Sequence, residues 1–300
     1  MTSVGVPLAQ AGGRPLAGGR RPTFAWLGVL PFAGYVAIFL LLPTALVVTG
    51  AFGGKNGGFS LSGIAELNQP YIVHAFLNSL LLSAASALIG AVAGALLAYA
   101  VVTGRPDGAL RRLVSSACGV LAQFGGVTLA FAFIATLGGG GFVTLWLQQH
   151  GADIYANGVW LYKLPGLILV YTYFQIPLMV LVFMPALDGI RPQWREATES
   201  LGGSSWDYWR HVAGPLLTPA FAGATLLLFA NAFSAYATAA ALISQGGIIV
   251  PLQISNALTS EVGLAQATLA KALALGMVVV VATVMTLYAV LQRRTARWLG

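Results

Sequence analysis

Side chains able to make or break bonds are few in this chain and far apart. It has three histidines (His74, His150 and His211), one cysteine (Cys118) and eight carboxylates among 300 residues. No His-Glu-x-x-His pair, Gly-x-Ser-x-Gly elbow or cluster of carboxylates is present. A lone cysteine forms neither an intramolecular disulfide nor a Cys-based metal cluster. Cys118, inside an apolar stretch, reads as a small packing residue. The only lysines are Lys55, Lys163 and Lys271, and none completes the Gly-x-x-x-x-Gly-Lys-Ser/Thr loop that cradles nucleotide phosphates. No catalytic residue, metal site or cofactor is expected. What remains is hydrogen bonding. Asn231, Ser234 and Thr238 recur at helical spacing, with Tyr236 beside them, so they are expected on one helix face. There they either line a solute path or bond one helix to another.

One stretch differs in kind. Residues 188–215 read Asp-Gly-Ile-Arg-Pro-Gln-Trp-Arg-Glu-Ala-Thr-Glu-Ser-Leu-Gly-Gly-Ser-Ser-Trp-Asp-Tyr-Trp-Arg-His-Val-Ala-Gly-Pro. Pro192 suits a first helical position, where its missing N–H costs nothing. Glu196 and Glu199 are expected early in that helix, near its positive end, and Gly202-Gly203 stops it. Ser204 followed by Asp207 resembles a capping box, with Asp in place of Glu. Trp206, Tyr208, Trp209 and Val212 then open a second helix that leads to Pro215. A plain connection needs only a few residues. Trp194, Trp206 and Trp209 are unusual at a surface unless they rest on lipid headgroups or another protein. From the residues alone, an amphipathic linker lying on a membrane and a docking elbow are both open.

The elements that must carry these residues are set by composition. The chain is 58% hydrophobic and only 8% charged, with a mean hydropathy of +0.82, where soluble domains carry roughly 25% charged residues. The charges fall in clusters divided by long apolar intervals, giving six candidate spans at about 24–50, 73–103, 113–137, 164–187, 216–244 and 269–291. A spanning helix needs about 20 apolar residues. In lipid each backbone group must be satisfied within its own segment, so the spans are helices. The alternation of a membrane barrel is absent. The expected fold is therefore all-α and polytopic, with residues 24–295 as the transmembrane domain, 1–23 as a disordered tail and 296–300 as a short C-terminal end.

Arginines set the orientation. Arg14, Arg20, Arg21, Arg105, Arg111, Arg112, Arg191, Arg195, Arg210, Arg293, Arg294 and Arg297 fall on one side of the expected topology, and Lys55, Lys163 and Lys271 on the other. The positive-inside rule then puts both termini and residues 188–215 in the cytoplasm. The net charge of +7 belongs to the ends of apolar spans, which argues against a nucleic-acid surface. The first apolar run is too long for a cleaved signal peptide. Gly90 and Gly94, with Ser83, Ser86 and Ala87 before them, are expected to let another helix approach closely. Pro31, Pro43, Pro177 and Pro185 are expected to bend or end helices. On the outer side, residues 138–163 are expected to hold a short interfacial helix, with Trp160 and Tyr162 at headgroup level. An ion-coupled carrier is the main rival, but no acidic residue falls in the middle of any expected span, where such carriers keep ionisable groups.

The inner stretch resembles the EAA loop of permeases from binding-protein-dependent ABC importers. That signature is Glu-Ala-Ala, three residues, Gly, nine residues, then Ile-x-Leu-Pro. Here Glu196-Ala197-Thr198 is followed at the same intervals by Gly202 and by Val212-Ala213-Gly214-Pro215. Thr198 and Gly214 depart from the pattern, the first with an effect on docking detail and the second with a looser start to the fifth span as the expectations. Asn78-Ser79-Leu80 and Ala98-Tyr99-Ala100 are similar to the start of the family's transmembrane domain. The resemblance implies the type I importer transmembrane fold in a bacterial inner membrane. It implies a coupling helix seated on a cytoplasmic ATPase dimer through Glu196, Ala197, Thr198, Glu199, Leu201, Gly202, Val212 and Pro215. Its implied partners are membrane lipid, a second permease subunit (a heterodimer before a homodimer) and an extracytoplasmic solute-binding protein. Polyamine, ferric-iron and aminoethylphosphonate permeases are the group it most resembles.

Overall fold

The computed structural model describes residues 25–52, 65–104, 108–156, 158–243, 246–259 and 264–296. The expected tail at 1–23, Lys55, Arg105, Glu261 and Arg297 lie outside them. The chain divides into a unit of residues 1–46 and one of 47–300. Within the first lie helix α1 (Ala25–Val36), which contains Pro31, and a π-helical turn over Ala37–Leu41. Helix α2 (Leu42–Ala51) follows. Side chains here from Val29 to Leu46 are largely exposed.

The second unit is built on α3 (Pro70–Val102) and α7 (Leu164–Asp188). Between them come α4 (Ala109–Leu121), α5 (Gly126–Leu137) and α6 (Phe142–Gln149). After them come α8 (Pro192–Ser200), α9 (Ser205–Tyr208) and, beyond a π-helical turn at Trp209–Ala213, α10 (Gly214–Ser234). Helices α11 (Ala237–Leu242), α12 (Val250–Thr259) and α13 (Leu264–Ala296) complete it. Among the described residues there is no strand.

Helices α3 and α7 pack along a seam of small residues, as the sequence predicts. Ser83, Ser86, Ala87, Gly90 and Gly94 all lie buried on α3. A Cβ added at Gly90 would stand 2.5 Å from Gln175 Cβ, and one at Gly94 would stand 2.5 Å from Met179 Cβ. Any side chain there would force the backbones apart. Apolar helices gain nothing hydrophobic by leaving lipid for one another, so close packing and interhelical hydrogen bonds must hold them. The Ser83 and Ser86 hydroxyls donate to carbonyls of their own helix at 2.7 Å, which leaves them compact and satisfied. The Gln175 amide instead crosses to α10, donating to the Leu228 carbonyl at 2.7 Å.

Six helical stretches among the described residues are long and apolar enough to cross a membrane. Two differ from the sequence expectation. The span expected at 113–137 is broken at residues 122–125. Gly126 takes a left-handed φ of +73°, and its N–H goes to the Thr238 hydroxyl at 2.9 Å. The crossing stretch is Gly126–Gln149, which takes in α6, the helix expected to lie at the interface. Trp160 stands against Tyr155 at 6.3 Å and, like Tyr162, is half-buried beside the core. The span expected at 216–244 is the later part of one continuous helical rod, Ser205–Ser234, whose first turns belong to the elbow, and it stops at Ala235. The Tyr171 hydroxyl donates to the Ala235 carbonyl at 2.6 Å, satisfying a group that the broken ladder would leave open. Cys118 is buried among apolar side chains.

Candidate functional site

The stretch 188–215 folds as an elbow, and its local geometry follows from its punctuation. Helix α7 ends at Asp188, whose carboxylate pairs with Arg111 at 2.5 Å and so ties it to the start of α4. Arg191 is extended, which the residue before a proline favours, and Pro192 opens α8. The stop is a Schellman motif. The Gly203 N–H reaches the Thr198 carbonyl at 2.9 Å and the Gly202 N–H reaches that of Glu199 at 3.0 Å. Gly202 has a φ of +80°, a conformation that costs residues with a Cβ roughly 1–2 kcal/mol. Gly203 is needed for space, because a Cβ there would lie 2.8 Å from Thr198 Cγ2. The second arm opens with a complete capping box. The Asp207 N–H bonds Ser204 Oγ at 3.3 Å, while the Ser204 N–H and hydroxyl donate to the Asp207 carboxylate at 2.9 and 2.6 Å. Those donors hold the Asp207 carboxyl below its usual range.

Both departures from the signature now have a physical account. Thr198 is half-buried. Its hydroxyl donates back to the Trp194 carbonyl at 2.9 Å and its methyl faces the Gly202-Gly203 turn, so it builds the corner. Gly214 does not loosen the start of the fifth span, contrary to expectation. The π-turn brings the Trp209 carbonyl so close that a Cβ at Gly214 would collide with it. The missing Cβ makes room for that carbonyl. Trp209 meets Tyr99 edge-on at 5.3 Å and Tyr208 is buried, which anchors the elbow to the end of α3.

The rest of the elbow faces outward. Glu196, Ala197 and Glu199 are exposed, and Leu201 and Trp206 are 89% and 70% exposed. Glu199 pairs with Arg195 at 3.0 Å along the helix, whereas the Glu196 carboxylate has no ion pair among the described residues. Neither glutamate is in the first turn of α8. The expectation that both sit at its positive end is corrected: α8 has nine residues, Glu196 is in its middle and Glu199 is next to last. A largely apolar groove of about 500 Å³ runs beside this face, walled by Trp194, Ala197, Thr198, Leu201, Val212 and Leu216, with His211 also in its lining. Pro215 is exposed at the start of α10.

The polar set on the fifth span does not form one face. Asn231 and Ser234 are exposed near the end of α10, and Ser234 Oγ donates to the Ala230 carbonyl at 2.8 Å. Beyond the break, Tyr236 is 43% exposed and its hydroxyl lies 2.9 Å from Ser255 Oγ. Thr238 is 3% exposed and accepts from Gly126, so it braces two helix breaks and lines no open face. The sequence reading missed Tyr171 and the Arg111–Asp188 pair. Tyr171, four residues before the polar Gln175 on α7, could have been found as a hydrogen-bonding group on the same buried face.

Six apolar helical stretches among the described residues and a capped elbow define a polytopic membrane protein. The same architecture occurs in a bacterial ABC transporter involved in the import of the acidic polysaccharide alginate. The TM-score is 0.69 at 19% identity, covering 91% of this chain and 95% of that one. The MetNI methionine ABC transporter in an inward-facing conformation matches with a TM-score of 0.53 at 17% identity, over 74% of this chain and 95% of that one. The chain belongs to the family described as binding-protein-dependent transport system inner membrane component, which matches residues 129–297. Among relatives, the sulfate transport system permease protein CysT of Escherichia coli (strain K12) is 26% identical, over 67% of this chain and 69% of that protein. The thiamine transport system permease protein ThiP of the same strain is 25% identical over 61% of this chain, but over only 33% of that protein. A putative ferric transport system permease protein, FbpB 1, of Haemophilus influenzae (strain ATCC 51907 / DSM 11121 / KW20 / Rd) is 25% identical, over 65% of this chain and 30% of that protein. The chain thus spans about a third of the length of the thiamine and ferric relatives. It is a multi-pass ABC importer permease subunit.

Proposed function

We propose that the elbow is the coupling element through which a separate cytoplasmic ATPase dimer drives this permease, with both termini and residues 188–215 in the cytoplasm. One observation carries the reading: Leu201 stands almost fully exposed at the tip of a doubly capped corner, beside an apolar groove. An exposed leucine held rigidly is a poor surface residue and a good anchor for a partner. Glu196 supplies the polar contact, Ala197 close approach, and Thr198 with Gly202 the stiffness of the corner. Glu199 and Arg195 brace the lever. Val212 and Pro215 form the joint with the fifth span. Asn231, Ser234 and Tyr236 are the better candidates for the solute path; Thr238 leaves that set. Transport needs an extracytoplasmic binding protein and a second permease subunit, and a heterodimer is the favoured pair. The solute is small, in the range of polyamines, aminoethylphosphonate or ferric iron, the last supported by the ferric relative. Co-purification tests the coupling: the wild-type chain brings down a nucleotide-hydrolysing subunit, and Leu201→Asp loses it while still reaching the membrane. Retention of that subunit by Leu201→Asp overturns the reading. Uptake assays with ferric iron and with each of the other solutes separate the candidates.

A further inference from the structure

Where the ends of α3 and α7 face the elbow, a cavity of about 280 Å³ has a polar wall that includes Arg195, Ser205 and Tyr208. A groove of about 510 Å³ between Val92 and Phe221, on α3, α7 and α10, has almost wholly apolar walls. Tyr99, Leu187 and Trp209 line both, so the two adjoin across these side chains as one composite space with a polar end and an apolar end. Its placement follows the helices. Thr103, at the polar end, is the C-cap of α3, and Leu187 is next to last in α7. These are the levels at which spanning helices leave hydrocarbon. Val92 lies about 16 Å deeper along α3, at 1.5 Å per residue. The Tyr99–Trp209 edge contact stands between the two ends, as interfacial aromatics do at headgroup level.

We propose that this space is a binding site for one anionic phospholipid, its phosphate against Arg195 and the Ser205 and Tyr208 hydroxyls and one acyl chain in the groove. Arg195 spends only its Nε on Glu199; its terminal N–H groups and both hydroxyls make no other hydrogen bond among the described residues. Basic pockets between transmembrane helices favour acidic headgroups in this way. The groove's volume is that of a small-ligand site, while a packed helix is about 10–12 Å across with its side chains. A lipid therefore fits better than another helix. Because the headgroup would touch α8 and α9 while the chain lies on α3 and α10, the lipid would bridge the lever to the bundle. The proposal needs only that these helices cross a membrane, and holds whichever face the elbow is on.

The test uses the permease, with its co-purifying subunits, in phosphatidylcholine vesicles carrying a trace of photoactivatable phosphatidylglycerol. Labelled peptides are mapped by mass spectrometry. Label is expected on residues 92–99 and 214–221. Unlabelled phosphatidylglycerol should compete about tenfold better than phosphatidylcholine. Arg195→Gln, which also gives up the exposed pair with Glu199, should cut that preference to threefold or less, and Arg195→Lys should keep most of it. Thr218→Trp, which fills the groove from an exposed position, should abolish labelling. Equal competition by phosphatidylcholine, or an unchanged preference in Arg195→Gln, overturns the site. Competition by glycerol phosphate as strong as by the lipid makes it a free-anion site and also overturns it. So does absence of label because another subunit covers the groove.

Discussion

At the scale of single residues, the two glycines of the corner are required for different reasons. Gly202 has open space around it and a left-handed backbone; Gly203 has an ordinary backbone and no space. Gly202→Val is expected to destabilise the corner by about 1–2 kcal/mol and to uncouple ATP hydrolysis from uptake while the protein still inserts. Normal uptake per ATP by this variant would count against the coupling role. Gly203→Ala should fail by collision with Thr198, so adding Thr198→Ala, which removes the methyl at 2.8 Å but not the carbonyl at 3.0 Å, should rescue it in part and leave Gly202→Val unrescued. Ser204→Ala removes the hydroxyl half of the capping box and leaves the backbone N–H of residue 204 on the Asp207 carboxylate, at a cost of about 1 kcal/mol. The pH dependence follows the depressed Asp207 carboxyl. A lowered folded value means stability that is present above the ordinary carboxylate range near pH ~4 and lost as pH falls through the lower value. The protection factor of amides 204–208, with the intrinsic exchange rate divided out at each pH, should therefore be flat from neutral pH down to that range and fall only in acid. In Ser204→Ala the fall should begin at higher pH.

At the scale of elements, the α3–α7 seam makes the sharpest prediction. A leucine at Gly94 would meet Met179 Cβ at 2.5 Å and the Ile176 carbonyl at 2.6 Å, whereas Gly119 on α4 has nothing within 4 Å. Gly94→Leu should cost about 1–3 kcal/mol or more and lower the melting temperature in detergent; Gly119→Leu should leave it unchanged. Equal behaviour of the two would remove the seam as the core of the bundle. This seam and the elbow were legible in the sequence because each is written in short-range code: small residues four apart, then Pro192, Gly202-Gly203 and Ser204-x-x-Asp207. The third span was not. Hydropathy averages over a window, and the Gln123-Phe124-Gly125-Gly126 break is too short to interrupt an apolar run. Thr238 was misplaced for a related reason. Helical spacing places residues on one face only while the helix continues, and α10 stops at Ser234. The group that satisfies the open carbonyl at this end, the Tyr171 hydroxyl on Ala235, comes from 64 residues away and has no local signature.

At the scale of the whole molecule, the arginine bias and the elbow make one joint claim about sidedness. Replacing Cys118 with Ala removes the only native thiol, and Leu201→Cys then places a new one on an 89% exposed position. An impermeant maleimide should label it in inside-out vesicles and not in intact cells. The reverse pattern would invert the topology.

The π-turn at Trp209–Ala213 has a further consequence. A bulge of this kind holds one residue more than the α-helical ladder needs, so the interval between Gly202 and Pro215 measures an angle as well as a length. Deleting His211, which is exposed, should return the rod to ordinary pitch with both ends still in phase, and uptake should survive. Deleting Arg210 as well should turn the elbow by about 100° against the fifth span. Torque would then arrive on the wrong side of the bundle, with every side chain outside that turn unchanged.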